Sequence, residues 1–453
     1  MPQDRTLPVP RPEPAPPRHA LRGGAISFRA DPFLSDPAEA LEHWPDALLV
    51  IENGHIASIG PYSPEAAAGL PVTHHPEALL CPGFVDTHVH YPQTGMIGAY
   101  GEQLLAWLER YTFPAELEFA DPEHAARVAR LFLRELLAAG TTTAAVFCTV
   151  HAASVEAFFA ESARLNTRMI AGKVLMDRNA PPGLLDGPGH GIPESEALLL
   201  RWHGRGRQLY AVTPRFAPTS TPAQLQAAGR LWRAHPGSYM QTHIAENTAE
   251  VDWVRELFPE ASDYLDVYHR AGLTGPRALF GHGIHLSEGA LCRCHQTGSA
   301  LAHCPTSNLF LGSGLFRVFA AKRADRPVRV GLGSDLGAGT SFSALRTMGE
   351  AYKVAQLNGD GLSALHAFYL ATLGGAEALA LENRIGRLAP GYEADIVVLD
   401  PQATPLLRFR TARCRDLAEK LFVLMTLGDE RVVRATYVAG SRILTGTAQA
   451  GPS

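Results

Sequence analysis

Four histidines and one aspartate stand at the ends of short apolar runs in this 453-residue sequence. The first run ends in His88 and His90, and later runs end in His243, His282 and Asp335. Residues two apart on a strand point to the same face, so His88 and His90 present two imidazoles to one point. Neutral imidazoles and a carboxylate suit Zn²⁺ or Fe²⁺, and such a metal can activate water for hydrolysis.

An H-x-H pair alone is also typical of structural histidines, so its spacing does not decide between packing and metal binding. The repetition of His or Asp at the ends of the other runs favours a metal site. Glu246 follows His243 by three residues and adds a carboxylate that can move protons there. The alternative for Glu246 is a solvated loop carboxylate.

The runs that carry these residues belong to a regular alternation of strand and helix. Helix signals follow the strands; Asp121 and Pro122, for example, suit the cap and first turn of a helix that ends near Gly140. Eight such units predict an α/β fold, a (β/α)₈ TIM-type barrel whose working residues lie at the carboxyl ends of the strands. The predicted strands are 83–89, 142–147, 169–176, 209–214, 239–243, 278–282, 299–303 and 328–333.

Strand-rich segments flank this barrel on both sides. Runs at 47–51 and 55–59 are joined through Asn53-Gly54, a strong signal for a two-residue hairpin turn, and runs at 394–399, 432–438 and 443–444 follow the barrel. We therefore expect one small composite β domain built from both chain ends. The predicted boundaries are a disordered Pro-rich arm over 1–20, the β domain over 21–80 and 385–447, the metal-dependent catalytic barrel over 81–384 and a tail over 448–453.

Composition excludes several other classes of protein. The formal net charge is −5 without a long basic run, which argues against nucleic acid or an anionic membrane as the partner. Six cysteines without a C-x-x-C motif make neither a disulfide framework nor a zinc ribbon. No segment approaches the roughly 20 apolar residues of a membrane span, and the N-terminus lacks the apolar core of a secretory signal, so we expect a cytoplasmic protein.

Longer motifs resemble a known family. The segment PGFVDTHVH at 82–90, followed by T-H, G-H and G-S-D at later strand ends, resembles the amidohydrolase superfamily of metal-dependent hydrolases. Within it, YPQ at 91–93, QLLAWLERYTFPAE at 103–116, GKVLMDRN at 172–179 and TPRF at 213–216 resemble the guanine deaminase family. The resemblance runs from about residue 48 to about residue 444, so it includes the barrel and both parts of the predicted β domain.

This resemblance implies a role for each candidate residue. The metal ligands would be His88, His90, His243 and Asp335, the catalytic residues Glu246, His282 and Asp335, and the substrate contacts Gln93, Arg215, Phe216, His243 and Asp335. It also implies one Zn²⁺ per chain with Fe²⁺ as the alternative, guanine as the small-molecule substrate, a homodimer, and a tryptophan-bearing segment at 103–116 that covers the site.

The implied reaction is the hydrolytic deamination of guanine to xanthine and ammonia. Glu246 would protonate N3 of the ring and then the departing amine, which are general acid–base steps. Asp335 would accept a proton from the attacking water and aim it at C2, and His282 would polarise it. The Arg215 guanidinium fits acceptors such as O6 and N7, and the Phe216 ring can stack on a purine.

Several alternatives remain open. A related amidohydrolase would act on another aminated ring, such as 8-oxoguanine, a pterin or a triazine, and a non-catalytic barrel would serve as a binding or scaffold protein. Arg215 also fits a structural ion pair, and Phe216 also fits an ordinary core position. Lys173 lies inside the third strand rather than at the end of the fourth, where related barrels place a bridging lysine, which favours one metal ion over two.

Overall fold

The computed structural model describes residues 9–444 and contains two β-sheets with helices around one of them. The strands are β1 (Arg11–Pro12), β2 (Arg18–Phe28), β3 (Leu41–Glu52), β4 (His55–Pro61), β5 (Val72–Pro82), β6 (Phe84–His90), β7 (Thr141–Phe147), β8 (Arg168–Gly172), β9 (Val174–Leu175), β10 (Leu209–Pro214), β11 (Tyr239–Ile244), β12 (Ala278–His282), β13 (Ala300–His303), β14 (Arg329–Leu332), β15 (Ile396–Leu399), β16 (Val433–Val438) and β17 (Ser441–Leu444).

The helices follow most strands of the barrel, as the alternation in the sequence predicts. They are α1 (Pro37–Ala40), α2 (Leu104–Trp107), α3 (Phe113–Leu117), α4 (Pro122–Ala138), α5 (Ala152–Arg164), α6 (Gly191–Trp202), α7 (Pro222–Ala234), α8 (Thr248–Leu257), α9 (Tyr264–Arg270), α10 (Glu288–Thr297), α11 (Pro305–Phe310), α12 (Val318–Ala321), α13 (Ala344–Leu357), α14 (Ala364–Leu370), α15 (Leu373–Ala378), α16 (Pro405–Thr411) and α17 (Leu417–Leu427). A π-helical turn, Leu108–Thr112, joins α2 to α3. The side chain of Asp121 caps α4 as predicted, since it accepts from the N–H of Glu123.

The larger sheet is the predicted (β/α)₈ barrel. Its parallel strands run in the order β6-β7-β8-β10-β11-β12-β13-β14, and each of the eight predicted runs forms one of them. The third strand is interrupted at Lys173, so that β8 and β9 both pair with β10. The ends of β6 and β14 meet through Thr87, whose hydroxyl donates to the carbonyl of Leu332 at 2.9 Å. The barrel therefore brings the carboxyl ends of its strands to one rim.

The second sheet combines both ends of the chain, which confirms the composite β domain. Its strand order is β1-β17-β16-β15-β5-β2-β3-β4, so C-terminal β15 lies between β16 and N-terminal β5. The hairpin between β3 and β4 turns at Asn53 and Gly54, whose φ values of 50° and 80° are the left-handed pair that this short turn requires. Strand β5 was not predicted from the sequence.

Two of the predicted segments differ from the structure in what they contain. Part of the predicted arm over 1–20 is ordered, because β1 pairs with β17 and β2 begins at Arg18 with His19 already buried. Residues 1–8 of that arm and the predicted tail over 448–453 lie outside the described residues. Within the predicted C-terminal part of the β domain, α16 and α17 are helical, and Phe422 of α17 packs against Tyr352 of barrel helix α13 with ring centres 5.0 Å apart.

A buried ion cluster connects the barrel to the β domain. Arg168, at the start of β8, donates from Nε to Glu393 at 2.7 Å, and Arg207 donates from Nε to the same carboxylate at 3.1 Å. Arg207 also pairs with Asp395, just before β15. All four side chains are largely buried, so each charge depends on the others for its partner.

No helix within residues 9–444 has both the length and the apolar character that a membrane span needs.

Candidate active site

The four predicted metal ligands meet at the barrel rim. Their elements bring them there: His88 and His90 end β6, His243 lies on β11, and Asp335 follows β14. The Nε2 atoms of His90 and His243 lie 3.0 Å apart, and Oδ1 of Asp335 lies 3.4 Å from Nε2 of both His88 and His90. Three imidazole nitrogens and one carboxylate oxygen therefore converge on one small volume.

The protonation states of these imidazoles fit a divalent cation. Burial lowers the pKa of His88 and lowers the pKa values of His90 and His243 well below the ordinary histidine range, so all three are neutral near pH 7. Nδ1 of His243 donates to the carbonyl of Arg215 at 2.7 Å, which leaves the lone pair on Nε2. Nε2 of His88 is buried without a hydrogen-bond partner among the described residues. A shared metal ion would satisfy these nitrogens.

The absence of a side chain at Gly281 on β12 makes room for the His88 ring, which reaches toward it from β6. Gly281 lies beside His243 in the ladder between β11 and β12. A Cβ at Gly281 would lie 2.6 Å from Cε1 of His88, closer than real Cβ atoms come to other heavy atoms. Because Gly281 has no side chain, the His88 imidazole can extend into the space beside β12 and reach the other ligands.

Asp335 and His282 hold strained backbone conformations at the site. Their φ values are 48° and 71°, in the left-handed region that is unfavourable for most side chains. The N–H of Asp335 donates to the carbonyl of His88 at 2.8 Å, which ties the end of β14 to β6. Oδ2 of Asp335 lies 3.7 Å from Nε2 of His282, so the two carboxylate oxygens face different imidazoles.

Glu246 and His282 form a second buried pair beside the metal ligands. Oε2 of Glu246 lies 3.4 Å from Nε2 of His282, and the hydroxyl of Ser313 donates to Oε1 at 3.2 Å. Burial raises the pKa of Glu246 to about 7. Burial opposes protonation of His282, but the carboxylates of Glu246 and Asp335 outweigh it and raise its pKa. The pair can therefore hold or release a proton near neutral pH.

A small cavity opens in front of these groups. Its lining combines the metal-site residues with apolar and polar side chains: His90, Gln93, Leu104, Trp107, Leu108, Thr112, Arg215, Phe216, His243, Glu246, Glu250, His282, Leu311, Asp335 and Ala338. The segment at 103–116 contributes Trp107, which is buried, so this segment covers the site as expected.

The three expected purine contacts all line this cavity. Gln93 lies on the turn that follows β6, and Arg215 and Phe216 follow β10. Nη1 of Arg215 donates to both carboxylate oxygens of Glu116, at 2.9 and 2.7 Å. Arg215 therefore forms the ion pair and also lines the cavity, and its binding role stays a prediction.

Several residues that hold the site were not predicted. Asn308 accepts a hydrogen bond from Nδ1 of His282 at 2.9 Å and so fixes which ring nitrogen faces the site. Glu250 accepts from the N–H groups of Glu246 and Asn247, at 2.8 and 3.2 Å, and holds the turn after β11. The Asn247 and Glu250 spacing is that of a helix capping box, a signal that was available in the sequence.

Lys173 lies away from the metal ligands. Its side chain is fully buried, and its ammonium group contacts Asp186 in the loop after β9 rather than the cavity. This position agrees with the expectation that no lysine bridges two metal ions here.

Comparison with known proteins places the whole architecture in one family. The amidohydrolase family model matches residues 79–443. The guanine deaminase of Escherichia coli (strain K12) is 50% identical over 425 residues, which cover 93% of this chain and 96% of that protein. The solved structure of E. coli guanine deaminase is similar with a TM-score of 0.91 at 48% identity, over 94% of this chain and 99% of that one. A guanine deaminase from C. acetobutylicum with guanine bound in its active site is 28% identical with a TM-score of 0.84, over 94% of this chain and all (100%) of that one.

Proposed function

The chain belongs to the amidohydrolase family, and from this premise we propose that it is a guanine deaminase, which hydrolyses guanine to xanthine and ammonia. The observation that carries the proposal is the composition of one cavity. It joins a His/Asp ligand set and a buried proton carrier, Glu246, to the three side chains that suit a purine, Gln93, Arg215 and Phe216. A barrel kept only as a scaffold would have no need for all these groups at once.

The metal site suits one zinc ion held by His88, His90, His243 and Asp335. Neutral imidazoles and a carboxylate are borderline ligands that zinc accepts, and hydrolysis needs no change of oxidation state. Zinc, when bound, acidifies water so that hydroxide is available near neutral pH. Lys173 lies outside the cavity, which supports a single-ion site.

Glu246 is the proposed proton carrier. Since burial raises its pKa to about 7, the carboxyl is present in both protonated and ionised forms near neutral pH. The protonated form donates to N3 of the guanine ring, which makes C2 more electrophilic while the bond from water oxygen to C2 forms. The proton that Asp335 takes from the attacking water then reaches the exocyclic nitrogen through Glu246 as the C2–N bond breaks and ammonia leaves. The remaining hydroxyl proton on the C2 oxygen restores protonated Glu246 as the carbonyl of xanthine forms. Such general acid–base steps are typically worth about 10²–10⁴-fold in rate.

Asp335 and His282 orient the attacking water. Asp335 directs Oδ1 toward the imidazole ligands and Oδ2 toward His282, so it can accept a proton from water held between them. The surrounding imidazoles of His88, His90 and His282 outweigh the effect of burial and hold the pKa of Asp335 well below its usual range. Its ionised form is therefore the resting state, ready to accept that proton.

The preferred substrate distinguishes the proposed function from its nearest alternative, an amidohydrolase that acts on another aminated ring. Arg215 can donate to the acceptors O6 and N7 of guanine, Gln93 can donate and accept along a second edge, and Phe216 offers a face for stacking. A triazine lacks the fused imidazole ring and its N7. We therefore expect turnover of guanine to exceed that of triazines and pterins by a wide margin.

The first experiment is to measure ammonia and xanthine release from guanine by the purified protein, with zinc and iron content measured on the same sample. The expected result is equal release of both products by protein that contains about one zinc ion per chain. Removal of the metal by a chelator should abolish turnover, and zinc should restore it. Full metal content without turnover of guanine would contradict the proposed substrate but not the proposed metal site.

Two further expectations concern assembly and location: a homodimer, which the family resemblance implies, and a cytoplasmic location, which the sequence analysis predicts. Light scattering on the purified protein tests the first, since a dimer would have twice the mass of the 48.8 kDa chain. Fractionation of cells that produce the protein tests the second.

A further inference from the structure

The helical segment that covers the cavity carries two buried polar side chains that the reaction scheme above does not use. Thr112 ends the π-helical turn Leu108–Thr112, and Glu116 follows four residues later in α3. Both side chains are fully buried, each with 0% exposure. Residues four apart in a helix lie on the same face, so both belong to the face that meets the barrel rim.

The hydroxyl of Thr112 has no partner among residues 9–444. Thr112 lines the cavity, and its Oγ1 makes no hydrogen bond with any described residue. A threonine in a helix commonly donates back to a carbonyl one turn earlier, but that bond is absent here, at a π-helical turn of the kind often found at functional sites. Buried hydroxyls almost always have a partner, so a molecule in the cavity is the natural partner for this one.

Glu116 lies in the same helical segment but contacts Arg215 rather than the cavity. Its carboxylate accepts two hydrogen bonds from Nη1 of Arg215, and Gln93 lies beside it. Glu116 itself does not line the cavity. Among the described residues, the guanidinium of Arg215 donates from Nη1 only, so Nε and Nη2 remain for acceptors on a ligand.

We propose that this segment is one wall of the purine site, where Thr112 hydrogen bonds directly to the edge of the base and Glu116 positions Arg215 and Gln93. The inference rests on the proposed guanine deaminase function and adds two residues to the recognition of its substrate. Thr112 is assigned as a binding residue, because it lines the cavity and its hydroxyl has no partner among the described residues. Glu116 is a positioning residue, because it reaches the substrate only through Arg215 and Gln93.

Matched substitutions at Thr112 test the direct contact. Thr112→Val removes the hydroxyl and keeps the shape, and we expect KM for guanine to rise about three- to tenfold, with kcat within about twofold, as for the loss of one neutral hydrogen bond. Thr112→Ser keeps the hydroxyl and should leave KM within about twofold of the wild type. A Val variant with the wild-type KM, or a Ser variant as impaired as the Val variant, would overturn the contact.

A double-mutant comparison tests the positioning role of Glu116. We expect Glu116→Gln to raise KM about tenfold in the wild-type background but less than about twofold when Arg215→Lys is already present, because the lysine has already lost the forked geometry that Glu116 positions. Equal KM changes in both backgrounds would assign Glu116 a structural role only. If the Gln variant does not fold, Glu116→Asp replaces it in the same two backgrounds with the same criterion.

The wild-type protein assayed in parallel separates this inference from the proposed function. Guanine binding is also measured by calorimetric titration on Glu246→Gln protein, where turnover is blocked, with and without Thr112→Val. If the wild-type protein neither binds nor deaminates guanine, both the function and the inference fail. If it deaminates guanine and the Thr112 variants share its KM and its binding constant, only the inference fails.

Discussion

Glu246 lies where three other polar groups meet at the edge of the cavity. The hydroxyl of Ser313 donates to one carboxylate oxygen, Nε2 of His282 lies 3.4 Å from the other, and Glu250 holds the N–H of Glu246 itself. One oxygen thus accepts a hydrogen bond from Ser313, while the other faces His282 at the cavity. This arrangement suits a carboxyl that gives up and regains a proton in each turnover.

Replacement of Glu246 by Gln should therefore affect chemistry and not binding. We expect kcat to fall by about 10²–10⁴-fold, because an amide of the same shape cannot carry the proton. Metal content and the dissociation constant for guanine should stay close to wild-type values. Steady-state kinetics, metal analysis and calorimetric titration check these results. Glu260→Gln, an exposed carboxylate in the loop after α8, is the matched control and should be unchanged.

Arg215 needs a different substitution, because its pairing with Glu116 is buried. Arg215→Ala would leave that carboxylate without a counter-charge, which is strongly destabilising in itself. Arg215→Lys keeps the charge but loses the forked donor geometry, so we expect KM for guanine to rise by about tenfold or more with little change in the melting temperature. An unchanged KM would mean that Arg215 serves the ion pair alone.

The convergence of the candidate metal ligands and Glu246 at the barrel rim could be predicted from the sequence, whereas the roles of Asn308 and Ser313 could not. His88, His243 and Asp335 share one signal, a polar residue at the end of an apolar strand, and the barrel rule tells where such ends meet. Asn308 and Ser313 carry no such signal, because the short helix α11 that holds Asn308 and the loop after it that holds Ser313 are placed by packing rather than by local pattern. Only the folded structure brings these two residues of the segment after β13 next to His282 and Glu246.

At the scale of elements, the site depends on the space that β12 leaves for the His88 side chain of β6. Strand β12 passes the end of β6 at Gly281, where a methyl group would lie 2.6 Å from the His88 ring. The regular alternation of strands could be read from the sequence, since period and turn signals are local. The break in the third strand at Lys173 and the unpredicted β5 depend on which neighbours pair with them, so local pattern was not sufficient.

Gly281→Ala should weaken metal binding without unfolding the barrel. The added methyl group pushes the His88 imidazole from its place, and displacement of a ligand support typically costs about 10–100-fold in metal affinity. Zinc competition against a chromophoric chelator measures this change, and circular dichroism checks the fold. Gly289→Ala, on the exposed side of α10 with only a distant neighbour, is the control. Equal zinc affinity in both variants would contradict the proposed packing constraint.

At the scale of the whole molecule, the buried cluster of Arg168, Arg207, Glu393 and Asp395 joins the barrel to the β domain at the end of the barrel opposite the cavity. Burial opposes the ionisation of Glu393, but Arg168 and Arg207 outweigh burial and lower its pKa. A carboxyl whose pKa is lowered by folding stabilises the protein above its unfolded-state pKa. That contribution is lost as pH falls through the folded-state value.

Glu393→Gln should therefore destabilise the protein at neutral pH without affecting the reaction. We expect the free energy of unfolding to fall by about 3 kcal/mol, because two buried guanidinium groups lose a shared counter-charge. The decrease should shrink as the pH is lowered. Denaturant titration at several pH values measures it. Kinetic constants for guanine should not change.

Asp325→Asn provides the contrast for this experiment. Asp325 forms a pair with Arg323 in which both side chains are at least half exposed. Exposed pairs contribute less than about 1 kcal/mol, so this variant should unfold close to the wild-type denaturant concentration at every pH. A loss of stability as large as that of Glu393→Gln would show that burial of the cluster is not the reason for its importance.

The sheet that joins the two chain ends also sets an order of events during synthesis. Strand β5 pairs with β2 as soon as both have left the ribosome, but its other edge accepts β15, which lies more than three hundred residues later. At a translation rate of about 5–20 residues per second, that edge waits for roughly 15–60 s. During this time the nascent chain exposes an unpaired, apolar strand edge, the kind of surface that chaperones recognise. A stop codon just before β15 would leave the edge open permanently, so truncated chains should aggregate even though every barrel strand is present.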